Sequence, residues 1–202
     1  MFKNCFKSMK IVSRSFYARA TDLVAQELLG KIIVREVDGH VLKVRIVETE
    51  AYMGITDLAS HAYGGKRVRN APMYGPVGHA YVYFTYGMYY CLNFVSRDLK
   101  HPAGGVLIRA AEPLEGIEFM EKRRHKHTIH GLTNGPGKLT QALAITKELN
   151  THDVTHKGAL YVVDAPEVAT ENIVVSKRVG ISKAVEEPLR FYIKDNKWVS
   201  RK

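Results

Sequence analysis

The runs KIIVREV (31–37) and HVLKVRIVETEAY (40–52) flank the dipeptide Asp38-Gly39. Asp-Gly readily adopts the left-handed backbone that a two-residue hairpin turn demands. Both flanks are rich in β-branched residues, so they read as an antiparallel pair of strands. The second strand ends oddly. Period-two alternation places Val44, Ile46, Glu48 and Glu50 on one face. Carboxylates at the end of an apolar face need either a cation or a chemical task. The pattern alone does not choose between Glu48 and Glu50, and a structural ion pair would serve for either.

The surroundings sharpen the question. The chain of 202 residues carries Lys+Arg 30 against Asp+Glu 20, a formal net charge of +10. Such a balance either merely aids solubility or makes nucleic acid or an anionic surface the leading partner class. The length fits a short basic N-terminal segment (1–14) followed by one globular domain (15–202). No apolar run approaches the ~20 residues of a membrane span. The opening MFKNCFKSMK has no apolar core of a secretory signal. Cys5 and Cys91 are too few for a disulfide framework. The expected location is the cytoplasm of a bacterium, at the nucleoid, or a eukaryotic nucleus, and not the secretory route.

Further along, RATDLVAQELLGK reads as a helix stopped by Gly30. Ile55 to Gly78 is a long Gly-, Pro- and His-containing loop with basic residues, of the kind that usually carries function. AYVYFTYG, MYYCLNFVS and GGVLIRAAEP are strands, and EPLEGIEFMEKRRHKH is a helix with its charges matched to the dipole. NGPGKLTQALAI opens a second helix at about Lys138. GALYVVDA, IVVSKRVG, LRFYIKD and WVS return to short strands. Hairpin-linked strands without regular βαβ alternation predict an α+β fold with a curved, largely antiparallel sheet and flanking helices.

Several candidate chemistries can be weighed. GLTNGPGKLT is not a phosphate loop: the glycine spacing is too long, and Leu139 stands where Ser or Thr would hold magnesium. Its Gly-Pro-Gly turn with Lys138 is either a plain helix start or a seat for one phosphate. His125, His127 and His130 lie in a basic polar stretch without metal-ligand spacing, so no metal and no cofactor is expected. Of the 11 tyrosines, Tyr81, Tyr83, Tyr86, Tyr89 and Tyr90 crowd one short segment. Tyr81 and Tyr90 suit a strand core. Tyr86, just before Gly87, sits at a hairpin tip, from which an aromatic side chain can enter a duplex.

Taken in order, RIVETEAYMG, SHAYGGKRVRN, HAYVYFTYGMYYCLNFV, GVLIRAAEPLEG, NGPGKLTQALAI, RVGI and PLRFY resemble the alkyladenine (3-methyladenine) DNA glycosylase family. The resemblance runs from about Ser15 to Ser200. It implies that Glu50 is the general base that activates water against C1′ of a flipped nucleotide, with Arg109 near that water. It implies that Tyr52, His61 and Tyr83 hold the flipped base, and that Asn93 crowds the pocket against the exocyclic amino group of normal guanine. Tyr86 would fill the gap left in the duplex, on a protruding β-hairpin. Arg67, Arg69 and Lys138 are candidate contacts to the DNA backbone, and Glu48 is left to structure, paired with a cation.

The resemblance thus implies a monomeric, monofunctional enzyme acting on damaged purines in double-stranded DNA, without lyase activity. The basic loop 122–134 is a departure with no role assigned. From the residues alone, two rivals stand: a non-catalytic module binding double-stranded nucleic acid, and a hydrolase of free nucleosides. Loss of turnover without loss of binding in Glu50→Gln separates the first, and salt dependence the second.

Overall fold

The computed structural model describes residues 9–125, 129 and 131–200. Helices α1 (Arg14–Tyr17) and α2 (Thr21–Glu27) lead into strands β1 (Ile32–Val37) and β2 (His40–Tyr52). Strands β3 (Ala80–Thr85), β4 (Tyr89–Val95) and β5 (Gly105–Glu115) follow, then α3 (Ile117–Arg124) and α4 (Pro136–Ala142). The chain ends with β6 (Leu160–Val163), β7 (Ile173–Ser176) and β8 (Arg190–Ile193). The order across the curled sheet is β3-β4-β5-β2-β1-β6, with β8 pairing both β2 and β7. Every strand pairing is antiparallel, as the α+β reading requires.

The Asp-Gly turn forms as expected. Val37 pairs with His40, and Asp38 and Gly39 take φ of 51° and 75°. Several other boundaries move. The loop after Gly54 contains two 3-10 turns, Gly54–Thr56 and Val68–Tyr74. Residues Glu112 to Glu115 belong to β5, so the helix expected there begins only at Ile117, after left-handed Gly116. WVS is not a strand: Val199 instead packs on Val47 and Ala110. His127 and His130 of the basic loop lie outside the described residues.

The main correction concerns the face of β2. As β2 advances from Ile46 to Glu48, β5 advances only from Ala111 to Ala110, so Val47 is an extra residue. On the next step the bulge is on the other strand: Thr49 meets Ile108, and Arg109 is the extra residue. A bulge resets period-two alternation. Val44, Ile46 and Ala51 stay in the main core, whereas Val47 joins Ala110 and Val199 beyond the sheet. Glu48 and Glu50 therefore face away from Val44 and Ile46, not alongside them. They lie on the side of Tyr52, which packs with Met73 and Tyr81.

The core is what holds this frame. Helices α2 and α4 bring Val24, Leu28, Leu139 and Ala142 onto Ile46, Leu92, Phe94 and Ile108. Burying each large apolar side chain contributes roughly 1.5–3 kcal/mol. The Thr49 hydroxyl donates to the Ala25 carbonyl at 2.8 Å, tying β2 to α2 from the core side. The catalytic candidates thus stand on the opposite face of strands that are clamped from below.

Candidate active site

Strands β2, β3, β4 and β5 present one row of side chains to a cavity of about 470 Å³. Tyr52, Tyr81, Tyr83, Cys91, Asn93, Leu107 and Arg109 all line it. The ladders explain why they meet: Tyr81 is opposite Asn93 and Tyr83 opposite Cys91, while Leu107 is opposite both Asn93 and Glu50. His61 and Leu58 close one wall, and Val179 to Lys183 another. Gly54 lets the chain leave β2 toward His61. Its φ is +83°, and a Cβ there would stand 2.1 Å from the Ala103 carbonyl oxygen.

Glu50 lies beneath the floor of this cavity, fully buried. The residues that cover it all line the cavity. The Tyr52 hydroxyl donates to Oε2 at 2.9 Å and the Val179 N–H to Oε1 at 2.7 Å. Arg109 Nη1 stands 3.3 Å from Oε1, and it also donates to the Val179 carbonyl at 3.3 Å. Burial pushes the Glu50 carboxyl above its ordinary value, against the downward pull of Arg109, the Val179 N–H and the Tyr52 hydroxyl. Arg109 therefore restrains the shift without reversing it. Burial acts on Arg109 in the other direction, but Glu50 and Glu48 outweigh it, so the guanidinium stays charged.

Glu48 is equally buried, but its oxygens are taken. Arg190 Nε donates to Oε1 at 2.7 Å, the Ser200 N–H to Oε2 at 2.7 Å, and the Ser200 hydroxyl to Oε1 at 3.0 Å. The surroundings differ where the strand pattern did not: Glu48 is tied to Arg190 and Ser200 and shares Arg109, whereas Glu50 is held by Tyr52, Val179 and Arg109, all of which line the cavity.

The walls are aromatic. His61 and Tyr83 meet edge to face with ring centroids 4.5 Å apart, and His61 Nδ1 is 2.9 Å from the Tyr81 hydroxyl. Burial, with Arg69 nearby, lowers the His61 pKa, which favours the neutral ring. Tyr81 is the expected core tyrosine, 2% exposed, with its hydroxyl pushed up to about 12 by burial. Asn93 donates from Nδ2 to the Tyr81 carbonyl at 3.1 Å, which fixes its amide at the cavity. Burial raises the Cys91 thiol above its ordinary value, which disfavours the thiolate.

Tyr86 stands at the β3–β4 hairpin tip, 81% exposed, and lines the cavity mouth. Its φ of 51° is followed by 65° at Gly87, and Met88 N–H donates to the Thr85 carbonyl at 3.2 Å. Arg67 and Arg69 are exposed on the loop next to His61. Lys138 does not line the cavity, although Pro136 does; its Nζ donates to Asn134 Oδ1 at 2.8 Å. Among the described residues no cluster could hold a metal ion.

Sequence reasoning missed Asp57, Asn70, Arg178 and Val179. Asn70 is buried and donates to the His61 and Gly65 carbonyls at 2.7 and 3.0 Å, shaping the wall loop. RVGI was visible as a block, but nothing local marks the backbone of Val179 as the partner of a glutamate 129 residues away.

A buried carboxylate beneath an aromatic slot, on a strongly basic chain, defines an enzyme of the nucleic-acid-processing class. A model of the methylpurine-DNA glycosylase family matches residues 15–197. The chain belongs to that family. It is 50% identical over 192 residues to a protein of Carboxydothermus hydrogenoformans, covering 95% of this chain and 100% of that one. A Clostridium perfringens protein is 50% identical over 204 residues, covering 95% and 99%. One from Methanocella arvoryzae is 48% identical over 198 residues, covering 96% and 98%. All three carry 3-methyladenine DNA glycosylase as a provisional name.

Proposed function

We propose that this protein excises damaged purines, 3-methyladenine among them, from double-stranded DNA by hydrolysing the N-glycosidic bond. The observation that carries the reading is the Glu50 carboxylate, held by Tyr52, Val179 and Arg109 at the floor of an aromatic cavity. A base inside a duplex hides its glycosidic bond, so the nucleotide is extruded at a cost of a few kcal/mol. Tyr86 at the cavity mouth occupies the vacated space. Tyr52 on one side and His61 with Tyr83 on the other receive the base, and each stack returns roughly 1–3 kcal/mol. Asn93 narrows the slot against a normal guanine amino group.

As the C1′–N bond breaks, the base leaves with the electron pair and positive charge develops on the sugar. The Glu50 carboxylate stabilises that charge and accepts a proton from the water whose oxygen bonds C1′. A base with a raised pKa is closer to the operating pH, where proton acceptance is most effective. The nucleophile is a water activated by Glu50 and not an amine, so the reaction stops at a free base and an intact abasic strand. Arg67, Arg69 and Lys138 contact the backbone phosphates, and one chain serves one duplex site as a monomer.

Single-turnover base release from a duplex carrying one hypoxanthine, then one carrying 3-methyladenine, tests the reading. Strand cleavage only after alkali, and its loss in Glu50→Gln, is the expected result. Tight duplex binding with no alkali-labile site on either substrate would instead make this a binding module.

A further inference from the structure

Besides Arg109, Glu50 accepts from two residues far apart in the chain, Tyr52 and Val179, and one buried side chain touches the surroundings of both. Arg178 directly precedes Val179, and its guanidinium carbon lies 4.8 Å from the centroid of the Tyr52 ring. Its Nη1 donates to the Ala51 carbonyl at 3.0 Å, next to Tyr52. Its Nη2 donates to Asp57 Oδ1 at 2.8 Å, and Glu187 Oε2 stands 3.5 Å away. The side chains of Arg178 and Asp57 are 0% and 1% exposed.

Asp57 is itself fixed. Its Oδ2 accepts the Met53 N–H at 3.0 Å and its Oδ1 the Ala59 N–H at 2.9 Å. The pair therefore ties the end of β2, the turn leading to His61 and the segment after β7 at one point. A buried ion pair with this many hydrogen bonds is costly to assemble and rigid once assembled. A planar guanidinium can stack and donate sideways at once; an ammonium cannot.

We propose that Arg178 and Asp57 form the positioning unit of this site: they hold both donors to the Glu50 carboxylate in place and close one face of the Tyr52 ring, so that an extruded base stacks on the other. The second part rests on the glycosylase reading; the first does not. Neither residue is catalytic, since Arg178 bonds Ala51, Asp57 and Glu187 and acts on Glu50 only through Tyr52 and Val179. The other groups facing Glu50 are Arg109 from β5, Glu48 from β2 and Cys91 from β4. Arg178→Lys leaves all of them unchanged.

The test is an NMR titration of the glutamate carboxyl carbons, with the Glu50 signal assigned by its loss in Glu50→Gln. Arg178→Lys keeps the charge against Asp57 but loses the flat stack and the second donor. The paired replacement Asp57→Asn with Arg178→Gln keeps hydrogen-bonding shape without charge. In both, weaker donors raise the Glu50 midpoint, by about one pH unit, and single-turnover base release at neutral pH falls about 10- to 100-fold, the scale of a small misplacement. Binding of undamaged duplex stays within about twofold. A wild-type midpoint in Arg178→Lys overturns the proposal, and so does a slowed reaction without that movement. If the paired variant does not fold, Arg178→Lys decides alone. If the wild type releases no base from either substrate, the glycosylase reading fails while the titration still reports on the positioning unit.

Discussion

Glu48 and Glu50, two residues apart on one strand, share a single arginine: Arg109 Nε is 3.3 Å from Glu48 Oε1 and its Nη1 is 3.3 Å from Glu50 Oε1. Both carboxylates are fully buried, yet their environments differ. Glu48 has Arg190 and Ser200 as well, whereas Glu50 leans on groups that line the cavity. The two bulges produce this arrangement, because Arg109 is the extra residue that lands between the glutamates.

Glu50→Gln is expected to slow base release by about 10²–10⁴, the worth of a general base, and to stabilise the fold. Burial raises the folded-state pKa of Glu50 above its unfolded value. Its favourable contribution is therefore present below the unfolded value, near pH 4.3, and lost as pH rises through the folded one. At neutral pH the ionised group costs stability that glutamine does not. A gain of about 1 kcal/mol, or about 2–4 °C in melting temperature, is expected at pH 8, shrinking toward pH 4. Paired melts of wild type and variant at both pH values check it.

Glu48→Gln runs the other way. It leaves Arg190 and Arg109 with less compensation in a buried setting, and losing one member of such a group costs about 3 kcal/mol. Urea unfolding at neutral pH should show that loss. A variant as stable as wild type would mean that Ser200 and the remaining amide oxygen suffice.

Much of this architecture was legible locally. Asp38-Gly39 declared its hairpin, and the tyrosines of 81–90 declared a second one with Tyr86 at its tip. The face of Glu48 and Glu50 was not legible, because a bulge is set by two strands whose register no single segment encodes. Arg178 was hidden for the same reason: its partner Asp57 lies 121 residues away, and only the folded sheet brings them together. The resemblance supplied the candidates at the cavity; it carried no information on what holds them still.

Tyr86 pays for its position. A tyrosine at φ of 51° stores roughly 1–2 kcal/mol that a residue tolerant of the left-handed region does not. Because the side chain is mostly exposed, little packing is lost on replacement. Tyr86→Asn should therefore raise stability by about 1 kcal/mol, while weakening retention of the extruded nucleotide. Denaturation midpoints and single-turnover rates on the same preparations read both effects. A variant that releases base as fast as wild type would remove the wedge from the mechanism.

A final prediction concerns acid, away from the cavity. Asp153 pairs with Arg14 of α1 and accepts from the Thr155 hydroxyl and N–H at 2.7 and 2.9 Å. Burial raises its carboxyl pKa, but these partners outweigh it and hold the group well below the usual carboxylate range. With the folded value depressed, its stabilisation is present above the unfolded pKa near 3.9 and drains away as pH falls toward the folded one. Asp153→Asn should cost about 1 kcal/mol at pH 7, and much less at pH 2.5. Parallel denaturation curves at the two pH values decide it, since a loss independent of pH would place the effect in packing and not in the charge.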